Sequence, residues 1–250
     1  MMAAMARGTI RVGIGGWTFP DWRGVFYPPG LPQARELEHA ARNVQAIEIN
    51  ATFYKTQSAE SFRRWAAATA DGFVFSIKAS RFCTNRRVLA EAGEGIERFL
   101  AQGLTELGDK LGPILWQLAA TKRFEPDDFA AFMALLPASR DGVRLRHAIE
   151  VKHESFDDPA FFALARANDV AVVRLDPAPF AYERTASFTY ARLQAMREEE
   201  PTGYDATALD GWANVARADA ADGDVFVFMI NGAKVRAPAA AQALIARLES

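Results

Sequence analysis

The chain has little cysteine and little histidine. Its 250 residues include a single cysteine, Cys83, and three histidines. One thiol rules out an intrachain disulfide framework and a thiolate-rich metal site, and it is typical of a reducing compartment, so we expect a cytoplasmic protein. Three histidines are too few for a histidine-rich metal cage. A divalent metal would need carboxylates, and by analogy with sugar isomerase and endonuclease barrels its ligands would be Glu48, Glu150 and Asp176.

Long apolar runs and an excess of one charge are also missing. Residues 1–9 contain no extended apolar stretch, and the alanine-rich segments farther on are interrupted by charges, so we expect neither a signal peptide nor a membrane span. We interpret residues 1–9 as a flexible N-terminal extension. The net charge of -2 and the pI of 6.0 give no overall attraction to nucleic acid or acidic lipid. Affinity for a polyanion would require a local basic patch.

Most sequence signatures of catalysis are absent. The segment that starts at Gly13 resembles a dinucleotide-binding turn, but Thr18 stands in place of its third glycine, so close backbone packing is the better interpretation of these glycines. The segment that starts at His153 resembles a zinc-protease helix, but Asp157 stands where the second histidine belongs. Neither a nucleophile elbow nor a phosphate loop occurs.

What the chain does contain is a regular alternation of strand-like and helix-like segments. Half of the residues are hydrophobic, which is enough for one large core, and no linker divides the chain. The strand-like segments are 10–14, 46–50, 73–78, 114–118, 148–153, 170–175, 188–193 and 225–230. Eight strands with amphipathic helices between them predict an α/β, TIM-barrel-like (β/α)8 fold and a single domain over 1–250. The connection after the sixth strand is too short and too rich in proline for a regular helix.

Polar side chains occur on these strands or just after them, where TIM barrels carry their active sites. The most unusual is Glu48, a carboxylate inside an apolar run, because a buried charge without a partner costs several kcal/mol. Since strand side chains alternate, Glu48 should point in the same direction as Asn50, Glu150 as Lys152, and Arg174 as Asp176. The other polar residues in these places are Lys78, Gln117, His153, Arg192 and Asn231. A buried ion-pair network without catalysis is the structural alternative.

Several motifs, in the same order along nearly the whole chain, resemble the YecE-like family of domains of unknown function, number seventy-two. They are Gly15-Gly16-Trp17 and the segments 48–54, 73–79, 111–118 and 150–153. The resemblance implies a TIM-barrel-like fold, and it implies no settled reaction. Positions that match the family pattern are Glu48, Asn50, Tyr54, Lys78, Gln117, Glu150, His153, Arg192 and Asn231.

The chain also departs from the family pattern. Asn85 and Gln194 stand where the family has histidine, Lys152 stands for arginine, Phe156 for tryptophan, and Gly232 for the second of two asparagines. At position 152 a point charge replaces a bidentate guanidinium. If the family reaction needs the two missing histidines, this chain is a divergent binder or uses another substrate.

Two hypotheses about function follow. In the first, the protein is a hydrolase for a small anionic, phosphate-bearing or sugar-like substrate, with Glu48 or Glu150 as general base and Lys78, Lys152 and Arg192 binding negative charge. In the second it is a non-catalytic module that binds a nucleotide or nucleic acid. The second hypothesis uses a basic lip of Lys78, Arg81, Arg86 and Arg87 and stacking surfaces from Trp17, Trp22, Phe53 and Tyr54. Catalysis by Cys83 is disfavoured, because the sequence places no base beside it.

Overall fold

The structure, a computed structural model, describes residues 7–250. Its strands are β1 (Ile10–Gly15), β2 (Ala46–Ile49), β3 (Val74–Lys78), β4 (Leu111–Gln117), β5 (Ser139–Arg140), β6 (Val143–Arg144), β7 (His147–Glu150), β8 (Val170–Val172), β9 (Arg174–Asp176), β10 (Thr189–Leu193) and β11 (Val225–Met229). Its α-helices are α1 (Glu36–Asn43), α2 (Ala51–Tyr54), α3 (Ala59–Ala67), α4 (Arg81–Thr84), α5 (Gly93–Leu100), α6 (Pro126–Ala134), α7 (Pro159–Ala167), α8 (Ala206–Asp219) and α9 (Ala237–Glu249).

The chain divides into two compact units, and each contains a sheet of neighbouring strands. The central unit comprises residues 48–173 and 178–186, and its strands lie in the order β8, β7, β4, β3 and the second half of β2 (Glu48 and Ile49). The terminal unit comprises the residues up to 47 together with 174–177 and 187–250, and its strands lie in the order β1, β11, β10 and β9. Within each unit the registered pairs are parallel. The TIM-barrel-like α/β fold is therefore confirmed.

The predicted sixth strand is interrupted. Strands β8 and β9 are separated by Val173; β8 pairs with β7 in the central unit, and β9 pairs with β10 in the terminal unit. No helix follows β9 before β10 begins at Thr189, so the irregular sixth connection is confirmed. The hairpin of β5 and β6 was not predicted from the sequence. Its turn residues Asp141 and Gly142 both have positive φ, and an Asp-Gly pair is a known hairpin signal.

Helices cover the sheet with the apolar faces that the periodicity indicates. In α6, Phe129, Phe132 and Met133 are buried. Helix α7 begins after Asp158, whose Oδ1 accepts a hydrogen bond from the Ala160 N–H and so caps the helix. Within residues 7–250, no helix has the length and apolar character needed to cross a bilayer.

The start of the chain is described only in part. Residues 1–6 of the predicted flexible extension lie outside the described residues. Farther on, the Gly8 N–H donates to the Ala220 carbonyl over 2.8 Å, and the Thr9 N–H donates to Asp224 Oδ1 over 2.9 Å. The flexible extension and the single domain both stay predictions.

Gly13 allows β1 to approach Ala46, the first residue of β2 and part of the same terminal unit, which agrees with the packing interpretation of the first glycines. A Cβ at position 13 would lie 2.1 Å from the Ala46 carbonyl oxygen, a backbone atom that moves only with its strand. A Cβ at Gly211, in the exposed face of α8, would have no heavy atom within 4 Å.

We therefore expect Gly13→Ala to lower the free energy of unfolding by about 3 kcal/mol, because the two strands must separate to accept the methyl group. Gly211→Ala is the matched control, and it should raise the free energy of unfolding by about 1 kcal/mol because alanine favours a helix. Urea denaturation measures both. Equal stabilities of Gly13→Ala and the wild type would contradict the close approach.

Candidate functional site

Glu150 lies at the centre of a polar group in the central unit. It is the last residue of β7, it is fully buried, and the strand register places it beside Gln117, the last residue of β4. Gln117 Nε2 donates to Glu150 Oε1 over 2.8 Å, and Lys152 Nζ lies 3.4 Å from the same oxygen. Both contacts stabilise negative charge on Glu150. The predicted proximity of Glu150 to Lys152 is thus observed, although Lys152 lies beyond the end of the strand.

Lys78 ends β3 and is almost fully buried. Its Nζ lies 4.2 Å from the ring centroid of Phe53, close enough for a cation–π interaction. The Thr52 hydroxyl donates to the Lys78 carbonyl over 2.7 Å, and this bond fixes α2 against the end of β3. Thr52, which is buried, was not among the predicted site residues.

Glu48, Asn50 and Tyr54 belong to the neighbouring edge of the same unit. Glu48 is fully buried within β2, as the apolar run predicts. Asn50 follows the strand rather than lying in it, at the N-cap of α2, and its Nδ2 donates to the Glu48 carbonyl over 3.3 Å. Tyr54 ends α2 with its side chain 66% exposed, edge-to-face with Phe53.

His153 lies in the segment that follows β7. Its Nδ1 accepts a hydrogen bond from the Ser155 N–H over 3.1 Å and lies 3.0 Å from the Ser155 hydroxyl oxygen. That hydroxyl oxygen accepts the Phe124 N–H over 2.8 Å. On the other side of the ring, His153 Nε2 lies 3.4 Å from Arg123 Nη1. Arg123 was not among the predicted site residues.

The remaining predicted residues belong to the terminal unit. Asp176 ends β9, where its Oδ2 accepts a hydrogen bond from the Tyr204 hydroxyl over 2.6 Å. Burial, reinforced by Asp176, raises the pKa of Tyr204. Arg192 is buried in β10 beside Leu175 of β9. Asn231 follows β11, is exposed, and has a left-handed backbone with φ of 60°.

Arg174 Nη1 forms an ion pair with Asp219 Oδ2 of α8 at 3.0 Å, and its common direction with Asp176 stays a prediction. Two interpretations of the sequence need correction. Trp22 is fully buried, and its indole N–H donates to the Lys234 carbonyl, so it offers no stacking surface. Among residues 7–250, no group of three or more His, Cys, Asp or Glu side chains is placed to hold a metal ion, so the structure gives no support to the proposed carboxylate ligands.

Two other groups with reactive side chains have structural roles. His147 receives the Trp116 indole N–H on Nδ1 over 3.1 Å, and its Nε2 lies 2.8 Å from the Pro137 carbonyl oxygen. Burial lowers the pKa of His147, which favours the neutral ring in these contacts. Cys83 is fully buried, and burial raises the pKa of its thiol to about 12 against the smaller opposing effect of Arg86.

Comparison with known proteins identifies relatives of this chain. A family model described as "Protein of unknown function DUF72" matches residues 11–250. The chain is 28% identical over 157 residues to the UPF0759 protein YecE of Escherichia coli strain K12, a match that covers 62% of this chain and 50% of the relative. The chain thus spans about half the length of that curated relative.

Solved structures show the same fold. A DUF72 family protein of Thermotoga maritima has a TM-score of 0.78 and 22% identity, with 97% of this chain and 100% of that chain covered. A DUF72 family protein of Enterococcus faecalis has a TM-score of 0.74 and 18% identity, with 97% of this chain and 96% of that chain covered.

We expect Cys83 to resist thiol reagents in the folded protein, because a buried thiol with a raised pKa forms almost no thiolate near neutral pH. Ellman's reagent at pH 8 should leave the native chain unlabelled and should label it fully in urea. Rapid labelling without denaturant would show that the thiol is accessible and would reopen a chemical role for it.

Proposed function

The chain belongs to the DUF72 family, and we propose that it is a hydrolase for a small anionic, phosphate-bearing or sugar-like substrate. The substrate would bind in the central unit, at the carboxyl ends of β2, β3, β4 and β7. TIM-barrel enzymes carry their active sites at this edge of the sheet.

The setting of Glu150 is the observation that carries the proposal. A fully buried carboxylate costs free energy unless hydrogen-bond donors or cations contact it. Here Gln117 donates to Glu150, and Lys152 Nζ lies 3.4 Å away. Such a carboxylate has a fixed position at the strand end, which is what a general base requires. Glu48 is the second buried carboxylate of the unit and the alternative base.

Cationic and aromatic groups around Glu150 suit a substrate of this class. Lys78 and Lys152 supply positive charge for an anionic group. Asn50 offers an amide, and the exposed ring of Tyr54 offers an apolar face to a sugar. His153 adds a ring nitrogen, Nε2, beside Arg123.

The other assignments rest on the sequence alone. They are Asp176, Arg192 and Asn231 as substrate-binding residues. A cytoplasmic location likewise stays a prediction from the single cysteine. No cofactor is assigned.

The proposal predicts that Glu150→Gln abolishes turnover, because the amide keeps the shape of the side chain but cannot accept a proton. Hydrolysis of p-nitrophenyl phosphate and p-nitrophenyl glucoside provides the assay, and kcat should fall by about 10²-fold or more. Glu154→Gln, which removes the same charge at an exposed neighbouring position, is the matched control and should retain activity. Full activity in Glu150→Gln with unchanged circular dichroism would refute the role of Glu150. Failure of the wild type to cleave either ester would count against hydrolysis.

Exposed aromatic side chains favour the second candidate function, binding of a nucleotide or single-stranded nucleic acid without catalysis. Tyr54 and Phe82 are each 66% exposed, and they follow the neighbouring strands β2 and β3. The guanidinium carbon of Arg81, which is also exposed, lies 5.6 Å from the centroid of the Phe82 ring. Stacking of a base on such a ring contributes about 1–3 kcal/mol.

If this second function is correct, a fluorescein-labelled oligothymidylate should bind at low salt, and its affinity should fall steeply as salt is added. Tyr54→Ala and Phe82→Ala should each weaken binding by about tenfold or more, because each removes a stacking surface. Fluorescence anisotropy measures all three proteins. Absence of binding at the lowest salt concentration would exclude this function.

A further inference from the structure

A cleft with a volume of about 830 Å³ lies in the central unit, between the segments that follow β3 and β4. Residues 85–88 form one wall, and residues between 119 and 128 form the other. Both segments start at the carboxyl ends of neighbouring strands, so the cleft belongs to the same edge of the sheet as Lys78 and Gln117. Its volume is in the range of small-molecule binding pockets.

Hydrogen bonds hold the two walls together. Lys122 Nζ donates to the Arg87 carbonyl and to Asp128 Oδ2, each over 2.7 Å. Asp128 Oδ1 in turn accepts the Ala90 N–H over 2.8 Å. Because this bridge is mostly buried, the cleft is largely preformed and a ligand would not have to order its walls.

The arginines of the cleft differ in whether their guanidinium groups are bound within the protein. Arg86 is committed to the protein, since its Nε donates to the Phe82 carbonyl and its Nη1 to the Glu91 carbonyl. Arg87 and Arg123 are exposed. Within residues 7–250, neither guanidinium has a carboxylate oxygen within 4.0 Å. These two side chains are therefore available to an external anion.

Arg123 and His153 present two donors to one position. His153 Nδ1 accepts the Ser155 N–H, so in the neutral ring the proton is on Nε2. Nε2 lies 3.4 Å from Arg123 Nη1, which is also a donor. Two N–H groups cannot satisfy each other, and an oxyanion that accepts from both would satisfy them together.

We propose that Arg123, which lines this cleft, and His153, which contacts Arg123 from outside the cleft lining, bind the phosphate group of a phosphorylated sugar or polyol. This inference rests on the proposed function only for the class of ligand, and it names the residues that hold the anionic group. A phosphate monoester carries close to two negative charges at neutral pH, which suits a cleft with Arg87 as a second available guanidinium.

The acidic residues of the cleft suit the rest of such a ligand. Glu125 and Asp127 line it and are exposed. They would repel a bare anion, but a carboxylate accepts hydrogen bonds from sugar hydroxyls. A ligand with a phosphate at one end and hydroxyls at the other suits both the basic and the acidic residues of the cleft.

Isothermal titration of the full chain with inorganic phosphate and with glucose 6-phosphate tests the proposal. Arg123→Gln should weaken binding of both by about tenfold or more, because one charge-assisted contact is lost. Arg64→Gln, which removes an exposed guanidinium from α3, is the matched control and should bind as the wild type does. Equal losses in the two variants, or no saturable phosphate binding by the wild type, would overturn the proposal.

Two further variants test the sugar assignment and the hydrolase proposal separately. Asp127→Asn should weaken binding of glucose 6-phosphate without weakening binding of inorganic phosphate; equal affinity of the wild type for both probes would overturn the sugar assignment. Glu150→Gln should still bind phosphate. If that variant also hydrolyses the nitrophenyl esters normally, the hydrolase proposal fails while the phosphate site stands. If turnover depends on Glu150 but phosphate binding does not depend on Arg123, the hydrolase proposal stands and the phosphate site fails.

Discussion

The parallel pairing of β4 with β7 is the constraint on which the candidate site depends. It aligns Gln117 with Glu150 at the last position of each strand, so that a side-chain amide meets a carboxylate without help from a loop. Burial makes this contact obligatory, because a carboxylate taken out of water needs donors around it. Lys152 adds a charge two residues beyond the strand end.

Segments beyond the strands extend this rigid edge. The Thr52 hydroxyl joins α2 to β3, and Lys122 joins the segment after β4 to the one after β3. The amide of Phe124 orients Ser155, which in turn orients His153. Each bond is local to the central unit, and together they place donors and acceptors where no single motif would indicate a site. Binding and catalysis both require polar groups that are preorganised in this way.

The departures from the family pattern acquire physical meaning in the structure. Phe156 is buried, with its ring centroid 5.0 Å from that of Phe161, so at this position an apolar ring serves packing. Lys152 keeps a positive charge beside Glu150 but lacks the two-pronged donor of an arginine. Arg123, from a different segment, supplies a guanidinium next to His153.

The sequence by itself determined the alternation of strands and helices, the irregular sixth connection and the polar residues at strand ends, because local periodicity and backbone hydrogen bonding govern these features. It did not reveal the break at Val173 or the partners of Arg174 and Tyr204. Nor did it indicate that Trp22 is core and that Arg123 faces His153. Those outcomes depend on contacts between residues far apart in the chain, and only the docking of complete elements in the tertiary structure decides which side chains meet.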